Sequence, residues 1–247
     1  MRIPVLAGII KRRLLVNFRA DAEIVQRLLP FPFRPKLQNE HAVVGVCLIR
    51  LEHLRPAGLP WIPGFSSENA AHRIAVEWKD SQGVQKEGVF IPRRDTDALL
   101  NRLVGGRLFP GEHHPARFSI IERSSHIDFA MKSVDGSVCV NVAGHEADSL
   151  PASSCFASLE RASEFFESGN LGYSVTRDGN RMDGLLLSTL DWRVRPLRVE
   201  TVFSSFFADP KRFPEGSIEF DHALLMRDLR HEWHQADDLY THSAPLR

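Results

Sequence analysis

Hydrophobic and polar residues alternate along much of this chain with the two-residue period of strands rather than the longer period of helices. Ile127, Phe129 and Met131 alternate with His126, Asp128 and Lys132, predicting a half-buried strand. Asp135-Gly136 then turns the chain into SVCVNVA, a hairpin signal, and Asp178-Gly179 offers a second such turn. Ala42–Leu51 (AVVGVCLIRL) is nearly all apolar and suits a strand covered on both faces. Further strands are expected over Ile3–Ile10, Arg73–Trp78, Leu190–Arg195, Arg198–Phe207 and Ser217–Met226. Three segments follow the helical period. Asp21 can cap AEIVQRLL before Pro30, and Asp95 or Thr96 can cap DALLNRLV before Gly105-Gly106. In the third, Ser153 or Ser154 can cap CFASLERASEFFE, with Phe156, Leu159, Ala162 and Phe166 on one face and Gly169 as its stop. Many hairpin-spaced strands and few helices predict an α+β fold of mostly antiparallel sheet, curved or closed into a barrel.

Composition narrows the function. The chain has 247 residues, with 31 Lys+Arg against 31 Asp+Glu. Zero net charge argues against a general nucleic-acid binder, which works by neutralising phosphates. The basic run Lys11-Arg12-Arg13 is too short to change that. No repeat, low-complexity segment or linker interrupts residues 1–247, which read as one domain. Cys47, Cys139 and Cys155 are odd in number and widely spaced, which fits a reducing compartment better than a disulfide framework. No apolar run reaches membrane length, so a soluble cytoplasmic protein is expected.

Candidate chemistry gathers between Ser66 and Phe118. Glu68, in SSENAAHR just before the expected strand, reads as a loop acid or as a carboxylate that orients a substrate or moves a proton. His72 and Arg73 are adjacent, so on a strand at most one of them faces a given pocket. Arg93 and Arg94 follow Pro92; they are surface charges, or one of them holds a carboxylate in a two-pronged contact. Gly105 to His114 is glycine-rich and ends on Glu112, His113 and His114, where either histidine could move protons. The HEWH at His231–His234 lacks the spacing of a zinc-protease helix, and no metal site or cofactor is expected. GxSxG, P-loop and GxGxxG signatures are absent from the sequence.

SSENAAHRIAVEW, GVFIPRRDT and GGRLFPGEHHPARF together resemble the YqjF-like family of uncharacterised bacterial proteins, grouped with the acetoacetate decarboxylase-like superfamily. The opening LLVNFRADAEIVQRLLP, the middle PAGLPWIPGFSSEN and the late DWRVRPLRVE and FDHALLMR fit the same pattern. The resemblance implies a cone-like antiparallel β-barrel with flanking helices and a cavity for small keto acids or similar compounds. In the decarboxylases a buried lysine forms a Schiff base with the substrate ketone. Glu68 lies where the superfamily carries an Asn-Glu signature, so a carboxylate role carries over there. The lysine does not: Pro92-Arg93-Arg94 and Pro110-Gly111-Glu112 hold none. Three readings follow. The first is an enzyme-like barrel for a small carboxylate or carbonyl compound, with Arg93 or Arg94 holding the anion and Glu68 with His113 or His114 as acid–base groups. The second is a non-catalytic small-molecule binder, and the third an oligomer-forming structural protein.

Overall fold

Strand β1 (Leu6–Ala20) runs on past the basic triplet and enters helix α1 (Ala22–Arg27), whose Asp21 carboxylate accepts the N–H groups of Glu23 and Ile24. Two short strands follow, β2 (Arg34–Pro35) and β3 (Leu37–Gln38). Next come β4 (His41–Pro56), β5 (Phe65–Lys79) and β6 (Gln85–Thr96). The strands β7 (His113–Arg123), β8 (His126–Ser133) and β9 (Cys139–Glu146) form a meander. Helix α2 (Leu159–Ser168) then leads to β10 (Leu171–Val175), β11 (Arg181–Thr189), β12 (Arg195–Ser204) and β13 (Ile218–Tyr240). The computed structural model describes residues 4–98 and 111–241.

Among the described residues thirteen strands form one mixed sheet. Most pairings are antiparallel; β6 pairs in parallel with β7 and β10. Additional pairings of β11 with β13 and of β5 with β6 join parts of the sheet that are distant along its main path. Strands β1, β4, β5 and β13 are therefore covered on both faces. One face contributes Leu14, Val16, Val44, Val46 and Ile74 to a large core with Phe129, Met131 and Phe207. The other contributes Leu15, Val43, Cys47 and Leu51 to a second core with Phe156, Phe165, Phe166 and Leu185.

Local signals explain the turns. Asp80 accepts the N–H groups of Gln82 and Val84, and Gly83 takes a positive φ, closing β5 onto β6. Gly136 and Gly179 do the same in the two expected hairpins.

Several expectations are corrected. Leu190–Arg195 is not a strand: β11 ends at Thr189 and β12 opens at Arg195. Leu190 is exposed, while Trp192 turns inward and donates its indole N–H to Ser163. The Leu190 N–H still donates to the Arg230 carbonyl of β13, and the chain then leaves the sheet until β12 rejoins β13 at Arg195. Helix α2 is capped by Ser158, not by Ser153 or Ser154, because the Ser154 hydroxyl donates to Asp221 instead. Asp95 and Thr96 lie inside β6, and the helix expected over DALLNRLV falls almost wholly outside the described residues, as do Gly105 to Pro110. Asp95 does not act as a cap, since Arg93 clamps its carboxylate through two N–H donors at 2.8 and 2.9 Å.

His72 is fully buried on the large-core side, bonded to the Ser204 hydroxyl at 3.0 Å and stacked on Phe206. Burial, reinforced by the positive charges of Arg93 and Arg212, pushes its pKa down from 6.5 to about 3. A base with a lowered folded-state pKa is protonated first in the unfolded chain, so stability falls as pH drops below 6.5. Between pH 7 and pH 5 this residue alone removes about 2 kcal/mol. Urea unfolding at the two pH values should show that loss, and His72→Leu should lose less stability over the same interval.

Candidate functional site

The second core is incomplete. Between β1, β4, β5, β6, β11 and the start of α2's C-terminal turn lies a cavity of about 90 Å³. That is room for several waters or a molecule of a few heavy atoms. Its walls are mostly apolar, with Ile49, Leu51, Ala71, Val89, Ile91, Leu185, Leu187 and Trp233. Into this apolar space project three guanidinium groups, those of Arg13, Arg73 and Arg94.

Strand alternation puts them there. On β1, Arg13 shares a face with Leu15 and Asn17, while Arg12 points to the opposite face. On β5, Arg73 shares a face with Asn69 and Ala71, and Glu68 and His72 point away. Asn17, Gly45 and Arg73 stand in register across β1, β4 and β5. Gly45 has no side chain, and that lets the Arg73 guanidinium cross β4 and donate to the Asn17 side-chain oxygen. A Cβ at position 45 would stand 2.4 Å from the Val16 carbonyl oxygen and 3.1 Å from the Asn17 amide oxygen.

Asn17 passes the hydrogen bond on. Its oxygen accepts from Arg73, so its NH2 group donates to His222 Nε2 at 3.0 Å. His222 is thereby the tautomer carrying its proton on Nδ1, which donates to Asp221 at 2.5 Å. Burial raises the Asp221 pKa, but donors from His222, Ser154 and the Cys155 backbone outweigh it and hold the carboxyl well below the ordinary range. Phe166 of α2 lies under the Arg73 guanidinium at 4.8 Å and against the His222 ring.

Arg13 donates from Nε to the Cys47 sulfur at 3.4 Å and lies over Trp192. Arg94 donates to the Ser174 hydroxyl at 3.2 Å. Among the described residues none of the three forms an ion pair with a carboxylate. The one acid in the cavity wall, Asp95, is already clamped by Arg93. Burial lowers the pKa of both Arg73 and Arg94 to about 10, which leaves them charged at neutral pH. His113 shares the cavity; burial and the neighbouring Arg94 push its pKa down from 6.5 to about 3, so its imidazole is neutral.

The residues singled out from sequence therefore separate. Arg94 and His113 line the cavity together. Glu68 does not: it lies within β5 rather than in a loop before it, on the other face, bonded to Arg12 at 2.6 Å with Arg50 at 3.8 Å. Arg12 also reaches Glu122 at 2.5 Å, and Glu122 binds Arg227 at 2.6 Å, so Glu68 belongs to a chain of ion pairs. Burial raises the Glu68 pKa more than its two arginines lower it. Arg93 is engaged with Asp95, and His114 lines a separate surface groove with Glu112 and Arg177. Arg13, Cys47 and Asn17 were missed. Extending the β1 strand past Ile10 would have placed Arg13 in step with Leu15. In HEWH, His231 is buried, Trp233 reaches the cavity, and His234 pairs with Glu232. No group of three metal-ligating side chains gathers among the described residues. No helix among them is long and apolar enough to cross a membrane.

A buried charge with no counter-charge is a stability cost that an apolar replacement of similar size relieves. Arg94 is half-buried and partly screened by solvent, so Arg94→Met should raise the stability of the ligand-free protein by no more than about 1 kcal/mol, measured by thermal or urea unfolding.

Several solved structures resemble this chain over nearly its whole length. Acetoacetate decarboxylase from Legionella pneumophila subsp. pneumophila str. Philadelphia 1 superimposes with a TM-score of 0.62 at 14% identity, covering 96% of this chain and 88% of that one. An acetoacetate decarboxylase-like enzyme from Sphingomonas wittichii RW1 gives 0.57 at 11%, covering 97% and 93%. The enduracididine biosynthesis enzyme MppR complexed with pyruvate gives 0.57 at 10%, covering 98% and 92%. At these identities the likeness shows the fold alone. No curated protein matches the sequence. The model of the family DUF2071, described as "Uncharacterized conserved protein (COG2071)", matches residues 10–180, and the chain belongs to that family.

Proposed function

We propose that this protein binds a small carboxylate or carbonyl compound in the arginine-lined cavity, and does so without forming a Schiff base. The observation that carries this reading is the set of three guanidinium groups in an apolar cavity with no carboxylate partner among the described residues. Buried charges are normally paired. A ligand anion supplies the missing partner, and planar guanidinium groups suit the two oxygens of a carboxylate. The resemblance in fold to a protein complexed with pyruvate is in keeping with a ligand of this size. We read the additional β11–β13 and β5–β6 pairings as closing the sheet into the cone-like barrel of the superfamily.

A Schiff base needs an amine that can lose its proton. Arginine cannot serve, and among the described residues no lysine lines the cavity. Lys36 borders the smaller neighbouring cavity, where it pairs with Glu87 at 2.5 Å and donates to the Ser168 hydroxyl at 3.0 Å. Binding is better supported than turnover. An imidazole with a pKa of about 3, as at His113, has little capacity to take a proton at neutral pH. In this reading Arg94 and His113 keep a place at the site, and Glu68, Arg93 and His114 are structural.

Pyruvate and acetoacetate titrated into the full chain by calorimetry should bind, and Arg73→Met should weaken binding by about tenfold or more. Glu68→Gln should leave affinity within about threefold, since it removes no cavity contact. Borohydride added with either keto acid should trap no lysine adduct. A trapped adduct, or an unchanged affinity in Arg73→Met, overturns the reading.

A further inference from the structure

The cationic groups do not form one cluster. Arg13 and Arg73 also border the smaller cavity beside Lys36 and Phe166, and Arg94 does not. Arg94 stands instead beside Gly111 and Ser174 and reaches the surface groove that His114 lines, where Arg13 and Arg73 are absent. The cavity wall that both ends share is apolar, with Ala71 opposite Arg94 and Val89 opposite Ala75 in the register of β5 with β6. At the first end the Arg73 side chain is buried, and its Nε, like one terminal nitrogen of Arg13, has no hydrogen-bond partner. These donors are not spent on hydrogen bonds of the fold.

Charge gives the second argument. Three guanidinium groups face the cavity, and its one acid, Asp95, is neutralised by Arg93. A monocarboxylate would answer one end, either the buried Arg73 with the half-buried Arg13 or the half-buried Arg94, and leave the other end without a counter-charge. A single compact anion, such as phosphate, would answer one end and leave the other. A short chain with a carboxylate at each end answers both, and its methylene or keto carbons match the apolar wall that both ends share.

We propose that the ligand is a short dicarboxylate, with one carboxylate held by Arg13 and Arg73 and the other by Arg94. This rests on the reading that the cavity binds small carboxylates, and narrows it to a class.

The test is a calorimetric panel on the full chain: acetate, propionate, butyrate and pyruvate against malonate, succinate, glutarate and 2-oxoglutarate, with inorganic phosphate as a further arm. The best dicarboxylate should bind at least about tenfold more tightly than the best monocarboxylate. In Arg94→Met that ratio should fall towards one, while monocarboxylate affinity is retained through Arg13 and Arg73. Monocarboxylates binding as tightly as dicarboxylates would sink the dicarboxylate proposal and leave the carboxylate reading standing. Phosphate binding most tightly would also overturn it. If no carboxylate binds at all, both fall. The wild-type panel decides between these results even where a variant does not fold.

Discussion

Strands β1, β4 and β5 are covered on both faces, and this constraint governs the rest of the molecule. In a sheet with one wet face, a charged residue can turn outward at no cost. Here most side chains enter one of two interiors according to the parity of their position. Arg12 and Arg13 are neighbours in sequence, yet Arg12 faces Glu68 and Glu122 on one side and Arg13 faces Cys47 on the other. The two interiors treat charge oppositely. On the side of Arg12, carboxylates alternate with arginines in a continuous chain through Glu68, Glu122 and Arg227. On the side of Arg13 the guanidinium groups meet apolar walls, sulfur, hydroxyl and amide oxygen.

That difference separates structural from functional charge without reference to any relative. A buried ion pair whose members satisfy each other is a closed arrangement with nothing left to offer a ligand. A buried cation held in place by neutral groups is stable only because the surrounding fold over-determines its position. The hydrogen-bonded series from Arg73 through Asn17 and His222 to Asp221 is such a device. It fixes the guanidinium while leaving its charge unneutralised, because the terminal carboxylate lies three side chains away.

Periodicity alone made the β-rich class, the two hairpins and the two-faced strand at Ala42–Leu51 legible. Of the residues singled out in the sequence, Arg94 and His113 line one cavity. What it could not reveal was pairing. Glu68 and Arg73 lie five residues apart and look equivalent in a linear reading, but odd and even positions on β5 diverge into separate cores. Arg13 lies far from the Ser66–Phe118 stretch in sequence and reaches the same cavity only because β1 pairs with β4 and β4 with β5. Leu190 to Val194 shows the reverse failure, a strand-like alternation in a segment that leaves the sheet after Leu190 bonds to β13. Asp95 looked like a helix cap because its two-residue separation from Arg93 carries no hint that both lie on one face of a strand.

Gly45 has a consequence for how sequences of this family should vary. Its missing side chain is the opening through which one arginine crosses a strand to reach an amide on the next. Position 45 is thus coupled to positions 17, 73 and 222, though neither of its own neighbours in sequence touches the cavity's charge. A Cβ at position 45 would meet the Val16 carbonyl oxygen at 2.4 Å whatever stands at position 73, so loss of the arginine alone would not free the position to vary. The four positions meet at one point of the fold although they are spread over four strands and more than two hundred residues of chain.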